Sequence, residues 1–323
     1  MSLSYPNWNR FSFFFSGEYS QNYLKKSYLR LGIQNVAQLS YQNCYPFMYY
    51  LEHGKMYYSQ AAQSPLPLKP ILLYYGLIHL IKACILTVEP YYPETTSVLA
   101  HGVSARKRKK QHYSFFEDEV KFQKHGLFPF MAEKLFHMKQ LEGEKVSMAE
   151  LLQNIPELSS LFAKLKGKHT FISLKKKGTR FTIPNAVLDS YHMTEGRFQA
   201  FYTAKSAVPV QFHQDGSDDN LHFTLDVPDW KDPLPLKYDL HEECYAIPLI
   251  KEPFLLMPEL LLHYLLLYNL GMIARYETEW WSELIRTMAS DDYPFIQLFL
   301  DLSLEKGPYL ISRLLNPERI SSE

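Results

Sequence analysis

Cysteine is scarce in this chain. Its 323 residues hold three, Cys44, Cys84 and Cys244, set far apart in apolar or mixed surroundings. That excludes a disulfide framework and a CxxC metal site, and makes reduced thiols in a cytosolic protein the expectation. Twelve histidines are present but no HExxH, so no metal and no cofactor is expected. His213 with Asp215, Asp218 and Asp219 in HQDGSDDN resembles a hard-ion loop. It lacks EF-hand spacing and a distal Glu, and reads as a solvated turn. There is no GxGxxG, no glycine loop ending in GK[ST] and no GxSxG, which excludes the standard nucleotide cradles and the hydrolase elbow. Excess charge of one sign is lacking too. Lys plus Arg equals Asp plus Glu, 34 each, so any preference for nucleic acid or membrane must come from local patches. The opening MSLSYPNWNRFSFFF has no basic region followed by an apolar run, so no signal peptide is expected.

What is present is a core. Hydrophobic residues make up 46% and aromatics 15%, with 24 Tyr and 21 Phe. Much of that Tyr must pack its ring while its hydroxyl stays bonded or wet. Two runs, Ile71–Val88 and Leu255–Ala274, are apolar enough to raise the question of a membrane. The first carries His79 and Lys82, the second Glu259, His263 and Asn269. Each mid-span charge costs about 2.5–3.5 kcal/mol on insertion, so both are expected to be buried core helices, with no membrane partner.

The spacing gives a mainly α chain with a β-rich insertion (α+β). An aromatic arm over residues 1–16 should dock on a surface, and Ser16 should cap a helix ending near Gly32. A helical region from Asn35 to Gln63 is expected to be interrupted at Pro46 and bent near Gly54. Pro70 opens the Ile71 helix. Tyr113–Gln123 and Phe128–Met138 read as helices, and SMAE at Ser147 as a capping box. From about Gly167 the period becomes strand-like. HTFISL and TRFTI suggest a hairpin turning at Lys177–Gly178, with further strands at Arg197–Thr203, Val208–Phe212 and Leu221–Val227. Helices resume at Pro258, and Gly307–Pro308 should end the helix capped by Asp291. We therefore expect an N-terminal helical region at 1–167, a β-rich insertion at 168–250 and a C-terminal helical region at 251–323. The N- and C-terminal helices would pack into a bundle around a small antiparallel sheet.

Two constellations could carry chemistry. In the first, Tyr75, His79 and Lys82 fall at i, i+4 and i+7, one stripe on an otherwise apolar helix. A lysine among Leu80, Ile81, Ala83 and Cys84 needs an anion or a route to water. Glu52 of the phrase LEHGK is the expected partner, and a polar pocket of Glu52, His53, Tyr75, His79 and Lys82 with His101 would result. The plainer reading is a structural salt bridge beside a core histidine. The second constellation is the run Arg106, Lys107, Arg108, Lys109, Lys110, followed by His112. Such a run faces solvent or a polyanion. On a helix Arg108 and His112 share a face, with Arg106 about 120° away from His112. The plainer reading is a solvated loop paired with Glu117, Asp118 and Glu119. Lys175–Lys177 and Arg180 form another basic feature, which reads as a sheet edge protected by charge.

The phrases QNCYPFMYYLEHGKMYY, KPILLYYGLIHLIKACILTVEPYYPETTSVLAHGVSARKRKK and LLHYLLLYNLGMIARYETEWW resemble the YaaC-like protein family of Bacillus-type bacteria. That family carries no assigned reaction, so the resemblance implies a bacterial, cytoplasmic setting and little chemistry. A shorter match has chemical content. Tyr74, Tyr75, Lys82 and Ala83 on one helix, followed by His101–Gly102 in the next loop, are similar to HEPN helical bundles. Catalytic members of that group cleave RNA without metal, using an Arg followed four to six residues later by a His. The resemblance assigns those roles to Arg106 and His112, though Lys107 stands where a polar residue usually follows the Arg. His112 would take the 2′-hydroxyl proton, and Arg106 or Arg108 would stabilise the charged phosphorane. Lys107, Lys109, Lys110 and His101 would hold the anion. The expectation is a helical scaffold that binds RNA or another polyanion, with metal-independent RNA cleavage as its sharper form. A regulator that binds a nucleotide or small molecule, and a non-catalytic interaction scaffold, stay open. So does a homodimer.

Overall fold

A computed structural model of the chain describes residues 8–105, 113–139, 142–213, 220–228, 231–249 and 256–321. In chain order the elements are α1 (Gly17–Arg30), α2 (Val36–Gln63), α3 (Lys69–Val88), β1 (Val103–Ala105), β2 (Glu119–Phe122), α4 (Leu127–Phe136), β3 (Lys145–Ser147) and α5 (Met148–Gln153). There follow α6 (Ser159–Lys166), β4 (Phe171–Ser173), β5 (Lys175–Lys177), β6 (Arg180–Pro184), α7 (Ala186–Tyr191), α8 (Glu195–Lys205), β7 (Val210–His213) and β8 (Asn220–Leu225). The last are β9 (Lys237–Asp239), β10 (Cys244–Pro248), α9 (Glu259–Tyr276), α10 (Thr278–Thr287), α11 (Asp292–Leu314) and α12 (Glu318–Ser321). The fold is mainly α with three small antiparallel sheets. By contacts the chain divides into two units, one of 1–148 with 263–323, the other of 149–262.

The first unit is helical. α2 and α3 pair along their lengths, α1 packs on α2, and α11 packs on α3. The C-terminal helix α11 therefore shares a core with the N-terminal ones. The aromatic arm is a short 3-10 helix, Trp8–Phe15, that buries Phe11 and Phe14. Phe14 meets the rings of Tyr23 at 4.8 Å and Phe47 at 5.3 Å. Burying such a ring stabilises by roughly 1.5–3 kcal/mol, which is why the arm docks. Tyrosine hydroxyls then tie helix to helix: Tyr28 donates to Leu86 O at 2.8 Å and Tyr23 to Leu315 O at 3.1 Å. Ser16 caps α1, its Oγ accepting from Tyr19 N at 3.3 Å. The sheet β1–β2–β3 is antiparallel, with Val103 opposite Phe122 and Val120 opposite Val146.

The second unit builds its own core from Phe181, Ile183, Tyr191, Phe198, Tyr202, Leu221 and Phe223. Its sheets have the orders β5–β6–β8–β7 and β4–β10–β9. The Lys177–Gly178 turn joins β5 to β6, with Gly178 at φ +62°. The lysines of β5 lie exposed on the sheet edge. Lys237 is buried but donates to Asn154 O at 2.7 Å, and the buried Glu157 carboxylate accepts from Leu240 N at 2.9 Å.

Four sequence expectations give way. Residues 113–123 contain β2 rather than a helix, because Glu119 and Lys121 face out while Val120 and Phe122 are buried, a period of two. Arg197–Thr203 lies inside α8 rather than a strand: Phe198 and Tyr202, four apart, share the buried face. Pro46 does not interrupt α2, which runs through it and through Gly54. Gly307 and Pro308 lie inside α11 rather than at its end. Leu304, Leu310 and Ile311 bury on both sides of that pair, and their packing carries the helix past the missing N–H. Of the two apolar runs, α3 is long and apolar enough to cross a membrane by length and composition, and about two thirds of it is buried inside the protein.

Candidate functional site

The stripe on α3 faces the aromatic edge of α2. Tyr75, His79 and Lys82 are each half-buried. Tyr50, His53 and Tyr57 of α2 lie at i, i+3 and i+7 and meet them. The Tyr57 ring stacks on His79 with centroids 5.5 Å apart and 19° between planes. His53 meets His79 edge-on at 5.3 Å. Lys82 Nζ sits 5.7 Å from the centre of the Tyr50 ring, and Tyr57 lies 6.3 Å from Tyr75. Arg275, at the C-terminal end of α9, completes the edge: its guanidinium donates to Tyr75 Oη at 3.3 Å and to Gly271 O at 3.0 Å.

His101 enters from the loop after α3, held there by its neighbours' backbone. Its carbonyl accepts from Phe128 N at 3.1 Å, near the start of α4, and from Tyr264 Oη at 2.7 Å. The next residue, Gly102, has φ +77° and lies against Gly126, whose φ is +127°. A Cβ on either would fall on the other's backbone or on α4. Glycine is thus required twice, for left-handed conformation and for close approach. On its side-chain face, His101 Nδ1 is 2.8 Å from Tyr74 Oη, and the Tyr74 hydroxyl donates to Tyr264 Oη at 3.0 Å. The imidazole packs against the rings of Tyr74 at 5.4 Å and Tyr268 at 5.5 Å, which also meet each other at 5.7 Å.

The electrostatics join these pieces. Burial, followed by Lys82 and His53, pushes His79 down to about 4. Burial lowers Lys82 as well. Burial, then Arg275 and Lys82, lowers His101. The field of Lys82 therefore opposes protonation of both histidines, and that of Arg275 opposes it at His101. Among the described residues, no carboxylate is among the groups acting on His79, Lys82 or His101. Burial drives Tyr74 and Tyr264 well above the ordinary tyrosine range, so both phenols stay neutral.

Of the residues singled out in the sequence, His53, Tyr75, His79 and Lys82 meet along the α2/α3 seam through Tyr50 and Tyr57, while His101 sits with Tyr74, Tyr264 and Tyr268. Glu52 is exposed, one residue off the α2 face that meets α3, and is absent from the groups acting on Lys82. Tyr50, Tyr57, Tyr264, Tyr268 and Arg275 join the site without having been singled out in the sequence. Arg106, Lys107, Arg108, Lys109, Lys110 and His112 lie outside the described residues, as do the acidic positions of HQDGSDDN. The run follows directly on Ala105, whose backbone reaches the Tyr268 hydroxyl. Of the carboxylates offered to it, Asp118 is buried and accepts from Tyr113 Oη at 2.8 Å and Asn269 Nδ2 at 2.9 Å. Glu119 pairs with Lys145 at 3.2 Å. Among the described residues no group of three or more His, Cys, Asp or Glu side chains could hold a metal ion.

Chemically, the site offers two cations, three imidazoles and several tyrosine rings, with no described carboxylate to neutralise them. Comparison with known proteins adds one match. The family model described as YaaC-like Protein matches residues 12–315. No curated protein and no solved structure matches the chain. The family match takes in both units and every residue of the site, and the chain belongs to the YaaC-like protein family.

Proposed function

We propose that the edge formed by α2, α3, the His101 loop and the end of α9 binds single-stranded RNA. The observation that carries this is Lys82. It is half-buried, it has no ion-pair partner among the described residues, and the described group beneath it is the Tyr50 ring. A partly buried cation without a carboxylate beside it favours the approach of an anion. Arg275 adds a second positive charge, the neutral imidazoles add hydrogen-bonding groups, and the basic run follows in sequence from Ala105. Interleaved rings and cations are what a phosphate backbone with splayed bases requires: rings for stacking, cations for phosphates. Binding of this kind weakens steeply with salt.

The sharper form is metal-independent cleavage, with Arg106 or Arg108 and His112 in the roles that the HEPN resemblance assigns. The reading takes the cytoplasm as its setting, in keeping with three free thiols. The test is binding of a labelled RNA to the full chain, followed by cleavage with EDTA present in wild type, His112→Ala and Arg106→Ala. Loss of cleavage in both variants supports the enzymatic form. Equal cleavage in all three, or none in any, removes that form and leaves binding alone. A free nucleotide would meet the same groups. If nucleotides raise the melting temperature in wild type and not in Lys82→Ala, while RNA does not bind, the site belongs to a nucleotide-binding regulator instead.

A further inference from the structure

The hydrogen bonds around His101 fix its tautomer. A carbonyl oxygen only accepts, so the Tyr264 hydroxyl spends its single proton on His101 O at 2.7 Å. Tyr264 Oη must then accept in its 3.0 Å contact with Tyr74, which spends the Tyr74 proton. Tyr74 Oη therefore has only lone pairs to offer at 2.8 Å to His101 Nδ1, and that nitrogen must carry a hydrogen. Neutral His101 is the Nδ1–H tautomer, and its Nε2 is a bare lone pair. Nε2 makes no hydrogen bond to a described residue, and it is not among the sealed polar atoms that lack a partner. Burial, Arg275 and Lys82 all favour the neutral ring. Arg275 stands on the same edge, donating to Tyr75, whose ring lies 5.7 Å from that of Tyr74, and an open acceptor near a cation suits a ligand that brings an anion and a hydroxyl together.

We propose that His101 Nε2 accepts a hydrogen bond from the ribose 2′-hydroxyl of a nucleotide bound on this edge beside Arg275, so that the site prefers RNA to DNA. This rests on the RNA-binding reading above and names the atom that reads the sugar. The 2′-hydroxyl is the group that separates the two polymers, and in RNA it sits next to the 3′-phosphate. The Tyr264–Tyr74 chain is the positioning device: it holds the ring by one nitrogen and leaves the other facing outward. Its anchors, Gly102 and Gly126, set the loop from which the ring projects.

The test uses the full chain, a short single-stranded oligoribonucleotide and the matching deoxyribonucleotide with uracil in place of thymine, read by fluorescence anisotropy. Wild type is expected to favour RNA by roughly five-fold, the worth of one open neutral hydrogen bond. His101→Asn keeps an N–H at the δ position for Tyr74 but has no atom at ε, and the preference should fall to about one. His101→Gln offers an amide oxygen near ε and should recover part of it. A second arm reads the ring itself: 15N spectra of the histidine rings in wild type at neutral pH should show a ring in the Nδ1–H form, assigned to His101 by its absence from the His101→Asn spectrum. An Nε2–H ring at His101 overturns the assignment. So does a wild type that binds RNA and DNA equally, or an Asn variant with the wild-type preference; in both cases RNA binding itself still stands. If neither polymer binds, the RNA-binding reading falls and the assignment falls with it.

Discussion

His79 should make the first unit lose stability in mild acid. Its ring stacks on Tyr57, its Nδ1 is buried without a partner, and Lys82 and His53 stand beside it. Burial chiefly, then those two neighbours, hold it near 4 against an ordinary value of 6.5. The neutral ring is therefore the folded form. Between pH 6.5 and 4 the unfolded chain binds a proton that the folded chain refuses, so stability is complete above 6.5 and falls as the pH drops to about 4. Below that both forms are protonated and this loss levels off. The full difference corresponds to about 3 kcal/mol. The ring is half-exposed, and solvent screening roughly halves that, to ~1.5 kcal/mol. For a unit of this size the loss is about 3–6 °C in Tm. The assay is Tm against pH for wild type and for His79→Phe, which keeps a stacked ring and cannot titrate. The difference between the two curves should grow across that window. Parallel curves from pH 7.5 to 4.5 would refute the buried, neutral assignment of His79.

Other perturbations test the scaffold. Gly126→Ala should cost more than about 2 kcal/mol, since the residue has φ +127° and its Cβ would meet the Gly102 backbone; an unchanged Tm would contradict the tight loop that orients His101. Gly307→Ala should cost about 1–3 kcal/mol by driving a methyl onto the buried Tyr58 hydroxyl. Tyr58→Phe should relieve part of that loss, a coupling readable in a double-mutant cycle, and strict additivity would argue against the contact.

Legibility in the sequence followed the range of each interaction. The α3 stripe was readable because Tyr75, His79 and Lys82 recur with a helical period inside one segment. The Lys177–Gly178 turn was readable because glycine supplies φ +62° there. Glu52 drew notice by its charge, yet helical phase decides the contact: 50, 53 and 57 share a face, and 52 lies about 100° from 53. Arg275 was invisible because its partner, Tyr75, lies 200 residues earlier. β2 was misread because its alternation lasts four residues beneath the acidic run FEDE. Pro308 misled because local propensity yields to burial on both of its sides. The tautomer of His101 has no sequence signature, since it depends on two tyrosines from α3 and α9.

On the proposed reading, Lys82 of α3 and Arg275 of α9 hold phosphates. The direct measurement is the dissociation constant for single-stranded RNA against salt concentration, for wild type, Lys82→Ala, Arg275→Ala and the double variant. Binding should weaken with salt, and each substitution should weaken it further and flatten the double-logarithmic slope by roughly one. Undetectable binding at low salt, or a double variant with the wild-type affinity and slope, would rule out Lys82 and Arg275 as phosphate ligands.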